Sequence, residues 1–365
     1  MFSGCRLIRE IPEELFKYNT KIYDFGGTFN GCESLTAIPE NLFKYNTEAT
    51  TFGGCFSSCR SLTAIPADLF RYNTKATSFN SAFSGCESLT AIPENLFRYN
   101  TEATAFNSCF AEDSVNSYYC RMTSIPAGLF RYNAKATQFN RTFCGWRSLA
   151  SIPESLFASC PLAQTFQQCF LDCYGLQSIP ANLFASNAEA VNFSGTFKSC
   201  VGLTSIPANL FASNANAANF DSCFWNCDSI TAVPSALFAS NAKATTFAGC
   251  FYHCESLASI PDGLFDACVQ AAAFDYCFQS TAITSIPSNL FKYTTAMKTA
   301  YQCFATCNSL QQTIDLHIGS AEITDARAFI NGSQKQITIY VPNGSTTHST
   351  FSGLASSLYI TVVGE

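Results

Sequence analysis

This sequence is short of the groups that most often do chemistry. It has three His, two Trp and three Met in 365 residues, and charged residues make up 13%, about half the usual share. His253, His317 and His348 lie in unrelated contexts. No G-x-S-x-G, H-E-x2-H, P-loop or G-x-G-x2-G pattern occurs, so the common hydrolase, metalloprotease and nucleotide-binding signatures are missing. The carboxylates fall in repeating columns, which suits solvated faces better than a tuned acid/base pair. The chain therefore reads as no enzyme, with no cofactor and no metal.

Other partners lack support too. The net charge is −6 and no run of like charges occurs, which argues against nucleic acid. No stretch of 18 apolar residues appears, so no membrane span is expected. A basic segment followed by an apolar one is missing at the start, so no signal peptide is visible.

What is present is repetition. Phe occurs 35 times and Cys 20 times. Ile-Pro or Val-Pro dipeptides put prolines at 12, 39, 66, 93, 126, 153, 180, 207, 234, 261 and 287. The step is 27 residues, except for 33 before Pro126 and 26 before Pro287. Such self-similarity marks stacked coils that cannot bury an apolar face singly. Each coil also echoes itself. F-x2-N-x2-A-T-x-F (Phe43 to Phe52) returns thirteen residues later as F-x2-C-x2-L-T-x-I (Phe56 to Ile65).

The expected fold is a repeat solenoid, leucine-rich-repeat-like and α/β to mostly β. Parallel strand ladders alternate with short helical turns, at about 27 residues per coil. SLTAIP reads as a strand ended by Pro. PENLFKY reads as a helical turn with Pro at its first position. GGCFSSC reads as a further turn or two. Residues 1–310 form eleven repeats, with an insertion near 111–119. Residues 311–365 form a C-terminal β-rich cap, with strands at 337–341 and 358–363 and a turn at Asn343-Gly344.

The repeat F-x2-C-x-S-L-T-x-I, with its second F-x2-N arm, resembles the BspA-like leucine-rich repeats of bacterial surface proteins. IPENLFKYN (38–46) resembles the convex segment of ordinary leucine-rich repeats, and IYVPNG (339–344) is similar to the family's closing segment. The 27-residue period and the Phe core depart from ordinary leucine-rich repeats. The resemblance implies an adhesion or recognition module, extracellular or at the cell surface, that binds protein or glycan. Two other readings stand beside it. The chain starts mid-repeat, with Phe2 and Cys5 matching Phe29 and Cys32. An open first coil fits a structural or assembly protein that self-associates end to end. Thiols without obligate pairing fit a cytosolic scaffold.

Stacking turns each repeated position into a column. Phe columns read as core spine. The Asn column (Asn46, Asn73, Asn100 and equivalents) reads as a ladder that satisfies turn backbone. The Cys columns read as buried small hydrophobes in preference to disulfides or metal ligands. Lys21, Glu48, Lys75, Glu102 and Lys135 alternate in sign, as do Arg6, Glu33, Arg60 and Glu87. One column is of a single sign: Lys17, Lys44, Arg71, Arg98 and Arg131, followed by Tyr18, Tyr45, Tyr72, Tyr99 and Tyr132. Glu13, Glu40 and Glu94 are its expected counter-charges. With Tyr118 and Tyr119 of the insertion, these residues are the candidate ligand-binding set.

Overall fold

The computed structural model describes residues 1–112, 120–310, 314–330, 337–355 and 360–364. The chain divides into two compact units. One comprises Met1–Leu176 with Asn182–Ala190, the other Gln177–Ala181 with Val191–Glu365.

The coil is made by turns. In Phe25–Cys32 (FGGTFNGC), Thr28 and Cys32 donate their N–H groups to the carbonyls of Phe25 and Phe29. The third residue of each turn, Gly27 or Gly31, has positive φ, 61° and 71°. The alternate N–H groups point to the next coil: Phe25, Gly27, Phe29 and Gly31 donate to Thr51, Gly53, Cys55 and Ser57 at 2.8–3.0 Å. Apart from Gly26, whose N–H goes to the Asp24 carboxylate, every N–H in this segment thus closes a turn or joins a neighbour, as buried backbone requires.

The expected helical turn is corrected by the bonds around PENLFKY. Leu42 donates to Pro39, Lys44 to Asn41 and Asn46 to Phe43. All three bonds span three residues, so the segment is a run of tight turns and not an α-helical one. Among the described residues the only helix is α1, Thr346–Ala355. The strand expected at SLTAIP shrinks as well. Ser34 donates to Arg6 and Thr36 to Arg9, and Pro39 offers no N–H. Pairing on that side consists of a few bonds and single bridges such as Ala232 with Ser259. Isolated parallel bridges also join Asp24, Thr51, Ser78, Ala105, Gln138 and Thr165 in succession.

Three columns of stacked Phe rings fill the core of the first unit. Phe16, Phe43, Phe70, Phe97, Phe130, Phe157 and Phe184 stack at 6.1–6.2 Å. Phe25, Phe52, Phe79, Phe106, Phe139 and Phe166 stack at 5.5–5.8 Å. Phe29, Phe56, Phe83 and Phe110 form the third column at 5.5–5.8 Å. Contacts between the first two columns are tilted or edge-on, as for Phe43 and Phe52 at 4.9 Å. Offset stacks along a column with tilted contacts across it satisfy the ring quadrupole in both directions, about 0.5–1.5 kcal/mol per pair beyond burial.

Each half-coil is then locked by one short donor. Asn73 Nδ2 donates to the Asn46 carbonyl at 2.8 Å and the Phe43 carbonyl at 3.2 Å. Asn46, Asn100 and Asn133 repeat this. Cys59 and Cys86 donate Sγ–H to Phe29 and Phe56 at 3.2 and 3.1 Å. Trp146, in the same column, uses its indole N–H on Phe110 at 2.8 Å. In the second unit Cys227 and Cys254 do the same to Phe197 and Phe224. The Cys column that aligns with Asn is thus a column of donors as well as of small buried side chains.

The 20 cysteines are free, and all except Cys5 are buried. Burial pushes the Cys59 and Cys254 thiols up to about 12.

In the second unit the ladder runs past residue 310. Phe291 bridges Ile318, Thr299 bridges Asp325, and Phe304 bridges Ile330. β1 (Ile314–His317), β2 (Ile337–Val341) and β3 (Ile360–Gly364) then form a parallel sheet in the order β1-β2-β3. Its register steps by 23 residues: Ile314 to Ile337 to Ile360. Ile337, Ile339 and Val341 are buried in alternation. Gly344, at φ 70°, makes the expected turn, and Ser345 Oγ caps α1 through the His348 N–H at 3.1 Å.

Candidate functional site

The Lys/Arg-Tyr column from Lys17 to Tyr132 lies in the first unit, and its slot holds the same pair once more in the second, where Lys292 lies over Tyr293 at 5.8 Å. It follows from the turn that ends each Leu-Phe pair. Leu42 and Phe43 point inward, Lys44 and Tyr45 outward, and Asn46 inward again to its ladder. Column neighbours therefore lie one coil apart, and the Phe rings beside them put that step at 6.1–6.2 Å.

Each cation rests on a ring. Lys17 and Lys44 lie over Tyr18 and Tyr45, both at 5.7 Å. The arginines span coils. Arg71 lies 5.7 Å from Tyr72 and 5.6 Å from Tyr99, and Arg98 lies 5.4 Å from Tyr99 and 5.8 Å from Tyr132. Arg131 lies over Tyr132 at 5.9 Å. The result is an exposed ladder of alternating guanidinium and phenol groups.

The expected counter-charges are not the ones used. Lys17 pairs with Glu14 at 2.8 Å and Arg71 with Asp68 at 3.5 Å, in each case three residues back. The Glu14 hydrogen bond holds the Lys17 ammonium above its ordinary value. Glu13 is used differently, accepting from Asn41 at 3.1 Å. Among the described residues no ion pair forms at Lys44, Arg98 or Arg131. At a step of about 6 Å, neighbouring cations repel by about 0.7 kcal/mol in water and about 3 kcal/mol near a protein surface. Two ring contacts offset about 1–2 kcal/mol of that. Arg98, over two rings, and Arg131, over one, thus keep net positive charge along this edge.

The alternating columns behave as register pins. Lys75 meets Glu48 at 2.7 Å, Lys135 meets Glu102 at 2.6 Å, and Arg6 and Arg60 meet Glu33 and Glu87 at 3.4 and 3.5 Å. Tyr118 and Tyr119 lie outside the described residues. From Ala158-Ser159 onward the first-unit column has no charge.

The histidines stay apart. His253 meets Glu255 at 3.5 Å, His317 stacks on Tyr340 at 4.5 Å, and His348 lies in α1. Sequence reasoning missed an aromatic cluster in the second unit, Trp225, Tyr252, Tyr276 and Tyr301. Trp225 and Tyr252 share one column, Tyr276 and Tyr301 come from two others, and only the coil brings them together.

No protein-family model matches the sequence, and no curated protein does. Among solved structures, the chain is similar to one in the Toll–Spatzle complex of Drosophila, at 12% identity and a TM-score of 0.33, covering 92% of this chain and 55% of that one. The glycosylated form of that complex gives 14% and 0.34, covering 97% and 59%. A leucine-rich cell surface protein of Faecalibacterium prausnitzii gives 18% and 0.29, covering 93% and 76%. The chain spans little more than half the length of the Toll-complex chains it matches. At these TM-scores the likeness adds no argument to the geometry, and it does not single out the BspA-like group. Among the described residues no helix is long and apolar enough to cross a membrane.

Proposed function

We propose that this chain is a non-catalytic recognition module whose Lys/Arg-Tyr edge binds an anionic ligand, an acidic glycan before an acidic protein segment. The observation that carries the reading is the ladder from Arg71 to Arg131. Its cations are held by rings, Arg98 and Arg131 keep their charge, and guanidinium forks suit carboxylate and sulfate groups. An anionic chain laid along the edge meets one cation per coil. Surface display, as implied by the sequence resemblance, fits such a role.

The test is binding to heparin, polygalacturonate and polyglutamate, with neutral dextran as control. Binding to an anionic probe should weaken as salt shortens the Debye length from about 10 Å at 0.1 M to about 3 Å at 1 M. Arg98→Ala should weaken it about tenfold or more, the value of one charge-assisted hydrogen bond. Equal affinity in Arg98→Ala and Arg131→Ala would remove the edge from consideration, and preference for polyglutamate would move the ligand from glycan to protein.

A further inference from the structure

We infer that the second unit carries a separate site for a neutral oligosaccharide, on the row Trp225–Tyr252–Tyr276–Tyr301. The four rings come from four successive coils. Trp225 and Tyr252 lie 4.4 Å apart at 61°, Tyr252 and Tyr276 6.1 Å at 83°, and Tyr276 and Tyr301 5.2 Å at 89°. A cation closes each end: Lys198 Nζ is 3.9 Å from the Trp225 ring, and the Arg327 guanidinium 5.3 Å from Tyr301.

The coil does not need these rings. The slot of Trp225 and Tyr252 holds Ser3, Asn30, Ser57 and Ser84 in the first four coils and the buried Ala111, Cys144 and Leu171 in the next three. The slot of Tyr276 is the positive-φ position of the turn, filled by Gly27, Gly54, Ser81 and Ser108 in the early coils and by Arg141, Gln168 and Gln302 in others, with no second aromatic residue among them. Tyr276 sits there at φ 59°, a conformation that disfavours a bulky side chain. An aromatic residue kept on the surface at a strained position points to a role outside the core. The coils of Trp225 and Tyr252 carry Ala-Ser (212–213 and 239–240) at the Lys/Arg-Tyr edge, whereas the coil of Tyr301 carries Lys292-Tyr293 there.

Two charged groups beside the row are already engaged within the protein. Asp275 accepts the Tyr301 N–H and the Thr299 hydroxyl, both at 2.7 Å, and Arg327 is bound to Asp325 at 2.8 Å. Three of the rings carry hydroxyls, and Tyr276 is 37% exposed. Flat apolar faces with polar rims match a ligand of the same kind, as hexose rings are: C–H faces edged with hydroxyls. A row with one ring per coil is matched by a polymer with one ring per repeat, which a peptide of varied side chains does not supply.

Tryptophan fluorescence reads this site directly. Only Trp146 and Trp225 are present, and Trp146 is fully buried. The intact chain is titrated with cellohexaose, xylohexaose, mannohexaose and chitohexaose, with calorimetry in parallel. At least one should give a saturable change in emission. Tyr252→Ala should weaken that binding about tenfold or more, as loss of an interface aromatic does. Tyr276→Gly should weaken it similarly while relieving the turn, which separates loss of binding from loss of fold. Arg98→Ala, in the first unit, should leave it unchanged and keeps this test independent of the anionic site. The inference is overturned if no oligosaccharide binds at millimolar concentration, if both tyrosine variants bind as before, or if only an acidic or apolar control peptide binds.

Discussion

Removing one rung of the asparagine ladder tests the coil where it is most tightly specified. Asn73 is fully buried, and its amide donates to the carbonyls of Asn46 and Phe43. Each of those carbonyls also accepts one backbone N–H, from Ala49 and from Asn46. Asn73→Ala therefore removes two hydrogen bonds without stranding either carbonyl completely. At about 1 kcal/mol each, plus a small cavity, the expected cost is about 2–4 kcal/mol. Asn73→Cys should cost less than Ala. At Cys160 and Cys268 the thiol still reaches a carbonyl, though at 3.8 and 3.9 Å. Asn73→Asp should cost most, because it keeps the shape, loses the donors and buries a carboxyl against carbonyls. Urea denaturation ranks the three, and amide exchange over residues 43–49 locates the loss. A stack of coils need not unfold in one step, so the local exchange carries more weight than the global midpoint. If Asp is tolerated as well as Ala, or Ala costs under about 0.5 kcal/mol, the ladder is not what holds the turns together.

Thiol titration gives a second prediction. Cys59 and Cys254 have their ordinary value of 9.0 raised to about 12, with desolvation as the largest cause. The unfolded chain loses those protons first, so stability is complete below pH 9 and falls as pH rises toward about 12. Thermal melts at pH 8, 9.5 and 10.5 should show that fall, and an unchanged midpoint would contradict it. Under native conditions a thiol reagent at pH 8 should label Cys5 rapidly and the remaining thiols only on unfolding. Backbone geometry supplies a third. Gln302, at φ 52°, should become more stable as Gly by about 1 kcal/mol, whereas a Cβ at Gly319 would overlap the Lys292 carbonyl. Gln302→Gly raising the urea midpoint and Gly319→Ala lowering it is the expected pair.

The period was legible because each slot of the coil accepts one shape. Phe43, Phe70 and Phe97 stack on one another, and a recurring environment selects a recurring residue. The cysteines were harder to read. Cys is both a small apolar group and a weak donor, and its frequency alone does not separate the two. The signal lay in the substitutions: Trp146 and Thr281 take the Cys slot, and Cys160 and Cys268 take the Asn slot. All four can donate a hydrogen bond to a Phe carbonyl, Thr281 to that of its own turn and the other three to that of the preceding coil. The continuation beyond residue 310 was hidden because Phe and Ile-Pro, the landmarks of the period, give way to Ile318 and Ile330 while the backbone ladder goes on. β1 and α1 were missed for the same reason. The candidate edge was found because like charges at one spacing repel and ask for an explanation. Its alternation across coils depends on which ring each guanidinium meets, and that needs coordinates.

In-register stacking is the claim on which the columns, faces and sites rest. Oxidative cross-linking tests it most directly. In a Cys5→Ser background, Glu48→Cys with Lys75→Cys places two exposed thiols one coil apart, where a disulfide can span. Glu48→Cys with Thr63→Cys places them closer in sequence but at different positions around the coil. The 48/75 pair should cross-link fast and the 48/63 pair little. Cross-linking that followed sequence distance instead would contradict in-register stacking.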